Sequence, residues 1–346
     1  MRNENRNLNN NMKKEDLRIV FMGTPEFAVE TLDALVKNGY NVVAVVTQPD
    51  KPVGRHGSVL QPSQVKQYAL EHNLPVLQPV KMKDEAFVEE LRSFNANLQV
   101  VVAFRMLPEV VWAMPEYGTF NVHAALLPQY RGAAPINWAV INGETRTGVT
   151  TFFLDHDIDT GRVIMQKPFD ILDDYNVENV YDGLMHLGAE ICIDTLQCII
   201  DADGHPDAIP QENLITAGET LLPAPKIFKE TCEIDWRKDA KQVYDFVRGL
   251  SPYPGAWTTL VDDEGKETVL KIYSASKTGI DARTGQPEGQ GTNPGDIVIR
   301  DKRTLCVVAG DGCLLQLDEV QLAGKKRMKA QDFINGMKKL AQSRLR

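Results

Sequence analysis

Patterns that make metal sites or disulfides are scarce in this 346-residue sequence. Its five cysteines, Cys192, Cys198, Cys232, Cys306 and Cys313, are odd in number and none lies in a CxxC pair. That usage supports neither a zinc site nor a disulfide framework and fits a reducing compartment. The expectation is a cytoplasmic protein with no bound metal. No window approaches eighteen uninterrupted apolar residues, so no membrane span or membrane partner is expected. The opening MRNENRNLNNNMKKEDLRIV lacks the apolar core of a signal peptide. Residues 1–14 read as a disordered, asparagine-rich tail, with Met12 as a second candidate start. The first strand–helix junction carries GTPEF (23–27), so it is neither a GxGxxG dinucleotide fingerprint nor a P-loop. A calcium loop is excluded in TFFLDHDIDTGR (151–162), because glycine falls one position late and Gln166 sits where the bidentate glutamate belongs.

What is present describes a globular chain long enough for two cores, with 43% hydrophobic and 25% charged residues. LRIVFMG (17–23), YNVVAVVT (40–47) and LQVVVAF (98–104) read as buried strands. Helical patterns lie between them, at Pro25–Val36, Pro62–His72 and Asp84–Asn95. Thr24 is placed to cap the first helix, with Pro25 in its first turn and Gly39 closing it. This alternation implies a doubly wound, Rossmann-like parallel sheet. TGVTTFFL (147–154) and RVIMQKPFDI (162–171) read as a hairpin on its edge, and a long helix near Val177–Asp201 completes a domain over 15–203. Residues 204–223, rich in proline and polar side chains, read as a linker. A helix at Asp239–Leu250 and five short strands then predict a small OB-like β-barrel over 224–340.

Charge is unevenly distributed. Residues 1–222 hold 17 Lys+Arg against 30 Asp+Glu, whereas 223–346 hold 21 against 17. The acidic total argues against indiscriminate nucleic-acid binding, while the basic C-terminal part leaves room for a local phosphate-reading surface. Two basic stretches fit that role: Lys51 and Arg55 in VTQPDKPVGRHG, and Lys325, Lys326, Arg327 and Lys329 in LAGKKRMKAQDF.

The stretch NVHAALLPQYRGAAPI (121–136) sets Asn121 and His123 two apart on a predicted strand. Alternate strand residues share a face, so the amide and imidazole converge on one spot. Such a pair suits a developing oxyanion or a proton transfer. A strand end whose polar residues meet backbone or water has the same pattern. In DIDTG, a carboxylate on a tight turn beside His123 suits proton removal from an attacking amine, and a polar hairpin turn reads the same way.

Taken together, FMGTPEFA, VVTQPDKPVGR, the NVHAALLPQYRGAAPINWAVINGE block, DIDTG, the APKI…IDW passage and LAGKKRMKAQDF resemble the N10-formyltetrahydrofolate-dependent formyltransferases. The resemblance runs from about residue 15 to 338 and is nearest to the branch acting on methionyl initiator tRNA. It implies transfer of a formyl group from N10-formyltetrahydrofolate to the α-amine of methionyl initiator tRNA, for translation initiation. Asn121, His123 and Asp159 match the family's catalytic amide, imidazole and carboxylate. Ala125, Leu126, Leu127 and Pro128, with Phe104, Met106 and Leu107, match its folate-lining segments. Lys51, Arg55, Lys325, Lys326, Arg327 and Lys329 are the expected tRNA contacts, and a monomer is expected. The sequence departs from the family pattern at Ala125, where serine is usual, at Ala103-Phe104-Arg105, where Ala-Tyr-Gly is usual, and at Asp157, where glycine is usual. Two other functions share these features: formylation of a small amine, either glycinamide ribonucleotide or an amino sugar nucleotide, and a non-catalytic folate- or RNA-binding module.

Overall fold

Runs of buried, β-branched residues build the first sheet. In a computed structural model describing residues 12–53, 59–284, 291–337 and 339–346, β1 (Arg18–Gly23) pairs in parallel with β2 (Asn41–Val46). The first helix, α1 (Glu26–Lys37), buries Phe27, Ala28, Thr31, Leu32 and Leu35. Its cap position is taken by Pro25 rather than Thr24, and no side chain caps it. Proline's fixed φ suits the extended cap residue as well as the first turn, so the helix begins one residue later than expected. A small hairpin, β3 (Lys51–Val53) with β4 (Val59–Gln61), precedes α2 (Gln64–Glu71), β5 (Val76–Leu77), α3 (Glu85–Ser93) and β6 (Leu98–Val102). Ser63 and Asp84 cap α2 and α3 by accepting from the Lys66 and Ala86 amides. After a short α4 (Glu109–Trp112) comes β7 (Thr119–His123), parallel to β6.

A short α5 (Pro135–Ile141) leads to β8 (Arg146–Phe153), antiparallel to β7, and β9 (Val163–Asp170) lies beside β8 at the edge. The sheet order is therefore β5-β2-β1-β6-β7-β8-β9, with β2 and β5 added on one side of β1 and β6 onward on the other. The long α6 (Val177–Asp201) is apolar and long enough to cross a membrane by length and composition alone, yet half of that window is buried. Thr195 on α6 bonds Thr151 on β8, and Gly188 approaches Val122 and Phe27, so the apolar positions are used against the sheet.

The chain divides into two compact units, and neither follows a single stretch of sequence. The first comprises 1–131, 148–169 and 182–223; the second comprises 132–147, 170–181 and 224–346. The expected boundaries at 203 and 224 are corrected in two respects. First, α5 and residues 170–181 pack with the second unit. There Asn137 donates to the Gly249 carbonyl, and Gly249 offers no Cβ to obstruct Ile141. Second, residues 204–223 are tied down within the first unit rather than spanning freely, as the site below shows. The tail is likewise shorter than expected, since Met12 is buried and its amide donates to Asp203, 191 residues away. Residues 1–11 lie outside the described residues.

The second unit is built on an antiparallel sheet. Helix α7 (Ala240–Gly249), capped reciprocally by Asp239 and Gln242, precedes β10 (Ala256–Val261), β11 (Glu267–Asp281), β12 (Ile297–Arg300), β13 (Thr304–Val308) and β14 (Cys313–Leu322). The sheet order is β12-β13-β14-β11-β10-β16, where β16 (Arg344–Leu345) follows β15 (Met328–Lys329) and α8 (Ala330–Gly336). Arg344 and Leu345 also bond Asp296 and Gly295, just before β12, so the two edges of the sheet meet. The result is the expected OB-like half-barrel, with two short strands beyond the five read from sequence. Trp236, Val247, Leu250, Ile272, Leu317 and Phe333 fill its core.

Candidate active site

Strand alternation puts Thr119, Asn121 and His123 on one face of β7 and Phe120 and Val122 on the other. Thr119 is engaged by Gln99 and the Trp112 carbonyl, which leaves Asn121 and His123 as the functional pair at the strand's carboxyl end. Val101 and Phe152 flank Asn121 on the neighbouring strands, and Thr150 lies beside His123. The side-chain oxygen of Asn121 is buried and has no hydrogen-bond partner among the described residues. Burying an acceptor without a donor costs about 1–3 kcal/mol, so a donor brought to this oxygen by a substrate is favoured.

His123 is 6% exposed. Its Nε2 lies 3.0 Å from the Tyr130 carbonyl, which can only accept, so Nε2 carries the hydrogen. Nδ1 faces Asp159 Oδ2 at 3.9 Å. The imidazole is thus held by main chain on one side and confronted by a carboxylate on the other, and that carboxylate balances positive charge on the ring. Asp159 stands at φ 56 and Tyr130 at φ 59, left-handed conformations that cost a non-glycine residue about 1 kcal/mol or more. Their persistence requires outside restraint.

That restraint comes from residues 204–223. Ile209 exchanges two main-chain bonds with Val163 on β9. The Tyr130 amide donates to the Leu222 carbonyl, and Gln129 bonds Glu219, Thr220 and the Leu222 amide. Gln211, 1% exposed, donates to the carbonyls of Asp159 and Gly161 and accepts from Arg131. Sequence reasoning placed this stretch outside the site because its polar, proline-punctuated composition has no periodicity.

The wall beside the pair is Ala125 to Pro128, of which Ala125, Leu127 and Pro128 are buried and Leu126 half-buried. Two side chains missed by sequence reasoning fix it. The Thr150 hydroxyl donates to the Ala125 carbonyl at 2.6 Å and accepts from the Leu127 amide at 3.1 Å. Gln166 donates to Thr150 and to the Leu127 carbonyl. The Leu127–Pro128 peptide is cis.

The register pairing Val102 with Val122 sets the loop after β6 next to this strand end. Ala103, at φ 47, and Met106, 69% exposed, are open to solvent, whereas Phe104 is half-buried and Leu107 buried. Arg105, at the position where the family pattern has glycine, donates to the Val80 and Pro79 carbonyls and lies 5.7 Å from the Phe104 ring centroid. Burial pulls its guanidinium below the ordinary value. Arg105 is therefore occupied as a brace for the loop.

Of the expected tRNA contacts, Lys51 is exposed on β3 and Arg55 lies outside the described residues. Asp50, at the foot of that hairpin, bonds Lys66 and Gln78, and these bonds hold its carboxyl below the usual range. Lys325, Lys326 and Lys329 are exposed in the second unit. Arg327 is paired with Glu319 and sits 4.4 Å above the Tyr273 ring. The cysteines form no disulfides, and burial pushes the Cys306 thiol up to about 11.

This geometry matches a known group of proteins. One family model, described as formyl transferase, covers residues 17–196, and a second, formyl transferase, C-terminal domain, covers 226–338. The chain belongs to the formyl transferase family. A methionyl-tRNA formyltransferase of Parabacteroides distasonis is 60% identical over 331 residues, covering 96% of this chain and 99% of its own. One from Bacteroides fragilis is 58% identical over 325 residues, covering 94% and 96%. Similar solved structures are more distant in sequence. WlaRD, a sugar 3N-formyl transferase, aligns with a TM-score of 0.58 at 17% identity, covering 90% of this chain and 99% of its own. HypX from Aquifex aeolicus, in complex with tetrahydrofolic acid, aligns at 0.57 and 18% identity over 92% of this chain. The chain spans about half the length of HypX. These two likenesses speak for the fold.

Proposed function

We propose that this formyl transferase moves the formyl group of N10-formyltetrahydrofolate to the α-amino group of methionyl initiator tRNA, with Asn121, His123 and Asp159 as its catalytic residues. The observation that carries the site is the buried, unpartnered Asn121 oxygen on the same strand face as an imidazole set against a carboxylate. The tRNA specificity is supported by relatives of 60% and 58% identity that are methionyl-tRNA formyltransferases along nearly their whole length.

N10-formyltetrahydrofolate supplies the electrophilic formyl carbon. Loop 103–107, by its exposed main chain and Met106, and the wall Ala125–Pro128 are the surfaces that would hold the folate, with Phe104 and Leu107 supporting the loop. The Asn121 oxygen receives a hydrogen of the entering amine and so orients the nitrogen lone pair. The Asn121 amide hydrogens are donors for the oxygen that gains charge as the nitrogen adds, and His123 donates to it through Nδ1 once that nitrogen is protonated, its Nε2 hydrogen being held by Tyr130. A preorganised donor of this kind is worth roughly 3–4 kcal/mol. Asp159 balances the charge on the protonated ring and takes the proton shed by the amine; as the adduct collapses the bond from the formyl carbon to N10 breaks, and that proton passes to N10, which leaves as tetrahydrofolate. Lys51, Arg55, Lys325, Lys326, Arg327 and Lys329 are proposed to bind tRNA phosphates, and the enzyme is proposed to act as a cytoplasmic monomer.

Transfer of labelled formyl from N10-formyltetrahydrofolate, offered methionyl initiator tRNA, glycinamide ribonucleotide and an amino sugar nucleotide in parallel, tests the reading. Label in the tRNA alone is the expected result. Label in either small amine overturns the substrate assignment, and label in none overturns catalysis.

A further inference from the structure

We propose that Gln211 is a positioning residue that sets the Asp159 carboxylate against His123. The inference rests on the reading of His123 and Asp159 as the catalytic pair.

Gln211 lies in a short helical turn, Gln211–Leu214, within the segment whose composition reads as a linker. It is 1% exposed, and its whole hydrogen-bonding capacity is committed. The amide nitrogen donates one hydrogen to the Asp159 carbonyl at 2.9 Å and the other to the Gly161 carbonyl at 2.8 Å. The amide oxygen accepts from Arg131 Nε at 3.0 Å and Nη2 at 2.7 Å. Two donors and two lone pairs are all that a primary amide has.

The partners explain the commitment. Asp159 and Gly161 bracket Thr160, so one amide clamps both ends of the turn that carries the carboxylate. Asp159 is held at φ 56, a conformation that needs such a clamp. Gly161 has no room for a side chain, because a Cβ there would run into the Phe153 carbonyl. Arg131 directly follows Tyr130, whose carbonyl receives the His123 Nε2 hydrogen. Gln211 therefore joins the main chain that holds the imidazole to the main chain that holds its carboxylate. A shift of either turn changes the 3.9 Å separation between Nδ1 and Oδ2.

Glutamate at 211 would keep the length and the Arg131 pairing but has no hydrogen to offer two carbonyls, and methionine would keep the length with neither function. The charged groups around the pair are Arg131 beyond the amide, and Asp155, Asp157 and Arg162 in the turn itself, all exposed except the half-buried Arg131. A response shared by Gln211→Glu and Gln211→Met is thus not the effect of a new charge.

The test measures kcat, both KM values and the thermal midpoint of the two variants in the full-length enzyme. The ring-nitrogen chemical shifts of His123 are also recorded at one fixed pH, a readout independent of turnover. Both variants are expected to lose about 10- to 100-fold in kcat, as misplacement of reacting groups by an ångström does, while the KM for each substrate stays near wild type. The His123 ring-nitrogen shifts are expected to differ from wild type in both. Wild-type kcat or unchanged His123 ring-nitrogen shifts in either variant overturn the proposal. So does a kcat loss that only follows the loss of folded protein, counted by tetrahydrofolate binding. A wild-type enzyme inert toward every amine would overturn the catalytic reading, and the His123 shifts would still decide whether Gln211 positions Asp159.

Discussion

At the scale of single residues, the site sets an unpartnered polar atom beside firmly bonded ones. Among the described residues the buried Asn121 oxygen has no donor, while His123 Nε2 and the amides of Tyr130 and Leu127 are bonded. Replacing Asn121 or His123 by alanine is expected to lower kcat by about 10²- to 10³-fold, with tRNA affinity in filter binding unchanged. Asp159→Asn keeps the size of the side chain and removes its charge and its ability to take a proton together, so its kcat loss at unchanged KM measures both roles at once. Asn121 and His123 were readable as a face-sharing pair because strand alternation is a local property. Thr150, Gln166 and Gln211 were not, since they act through bonds to residues 23, 39 and 52 positions away. A polar residue that acts at such a distance leaves no period in the sequence.

At the scale of elements, caps and close approaches decide how the active-site turns are held. The capping residues Ser63, Asp84 and Asp239 announce their helices in the sequence, because a cap bonds within three residues of itself. Strands β15 and β16, two residues each, offer no alternation to detect. Gly161 illustrates an approach that sequence does not disclose. Gly161→Ala is expected to cost about 1–3 kcal/mol in unfolding free energy through overpacking. Because the displaced turn carries Asp159, kcat should fall in the fraction that remains folded. Urea unfolding and kinetics on the same preparation check both effects.

The hairpin β3–β4 offers a pH test. The hydrogen bonds from Lys66, then Gln78, lower the Asp50 pKa from its ordinary 3.8. A depressed carboxylate contributes stability above its unfolded value and loses it as pH falls through the folded value. Amide exchange across β3 and β4 should therefore be constant at neutral pH and accelerate below about pH 4 relative to intrinsic rates. In Asp50→Asn it should lack that transition. Protection that is equally pH-independent in both proteins would remove Asp50 from the role of anchor.

At the scale of the whole molecule, the charge division gives the two parts of the chain different tasks. An acidic stretch of −13 over residues 1–222 opposes a polyanion, whereas 223–346 carries +4, so on the proposed reading more of the attraction for tRNA is expected from the local cluster in the basic part. Within that cluster the cations are not equivalent. Arg327 is already neutralised by Glu319 and stacked on Tyr273, while Lys325, Lys326 and Lys329 are exposed. Each lysine that meets a phosphate releases counterions, so its loss should weaken binding and reduce the slope of log K against log salt by about 1. Lys325→Gln, Lys326→Gln and Lys329→Gln are accordingly expected to flatten the slope additively. Arg327→Gln should change it less, because removing that guanidinium also frees the Glu319 charge. Arg55→Gln supplies the comparison from the acidic part of the chain. Filter binding between 50 and 200 mM salt, the range over which phosphate contacts dominate affinity, measures all five slopes. Slopes identical to wild type in the three lysine variants would remove the C-terminal cluster from the tRNA interface. A steeper dependence on Arg55 than on the lysines would shift recognition to the β3–β4 hairpin.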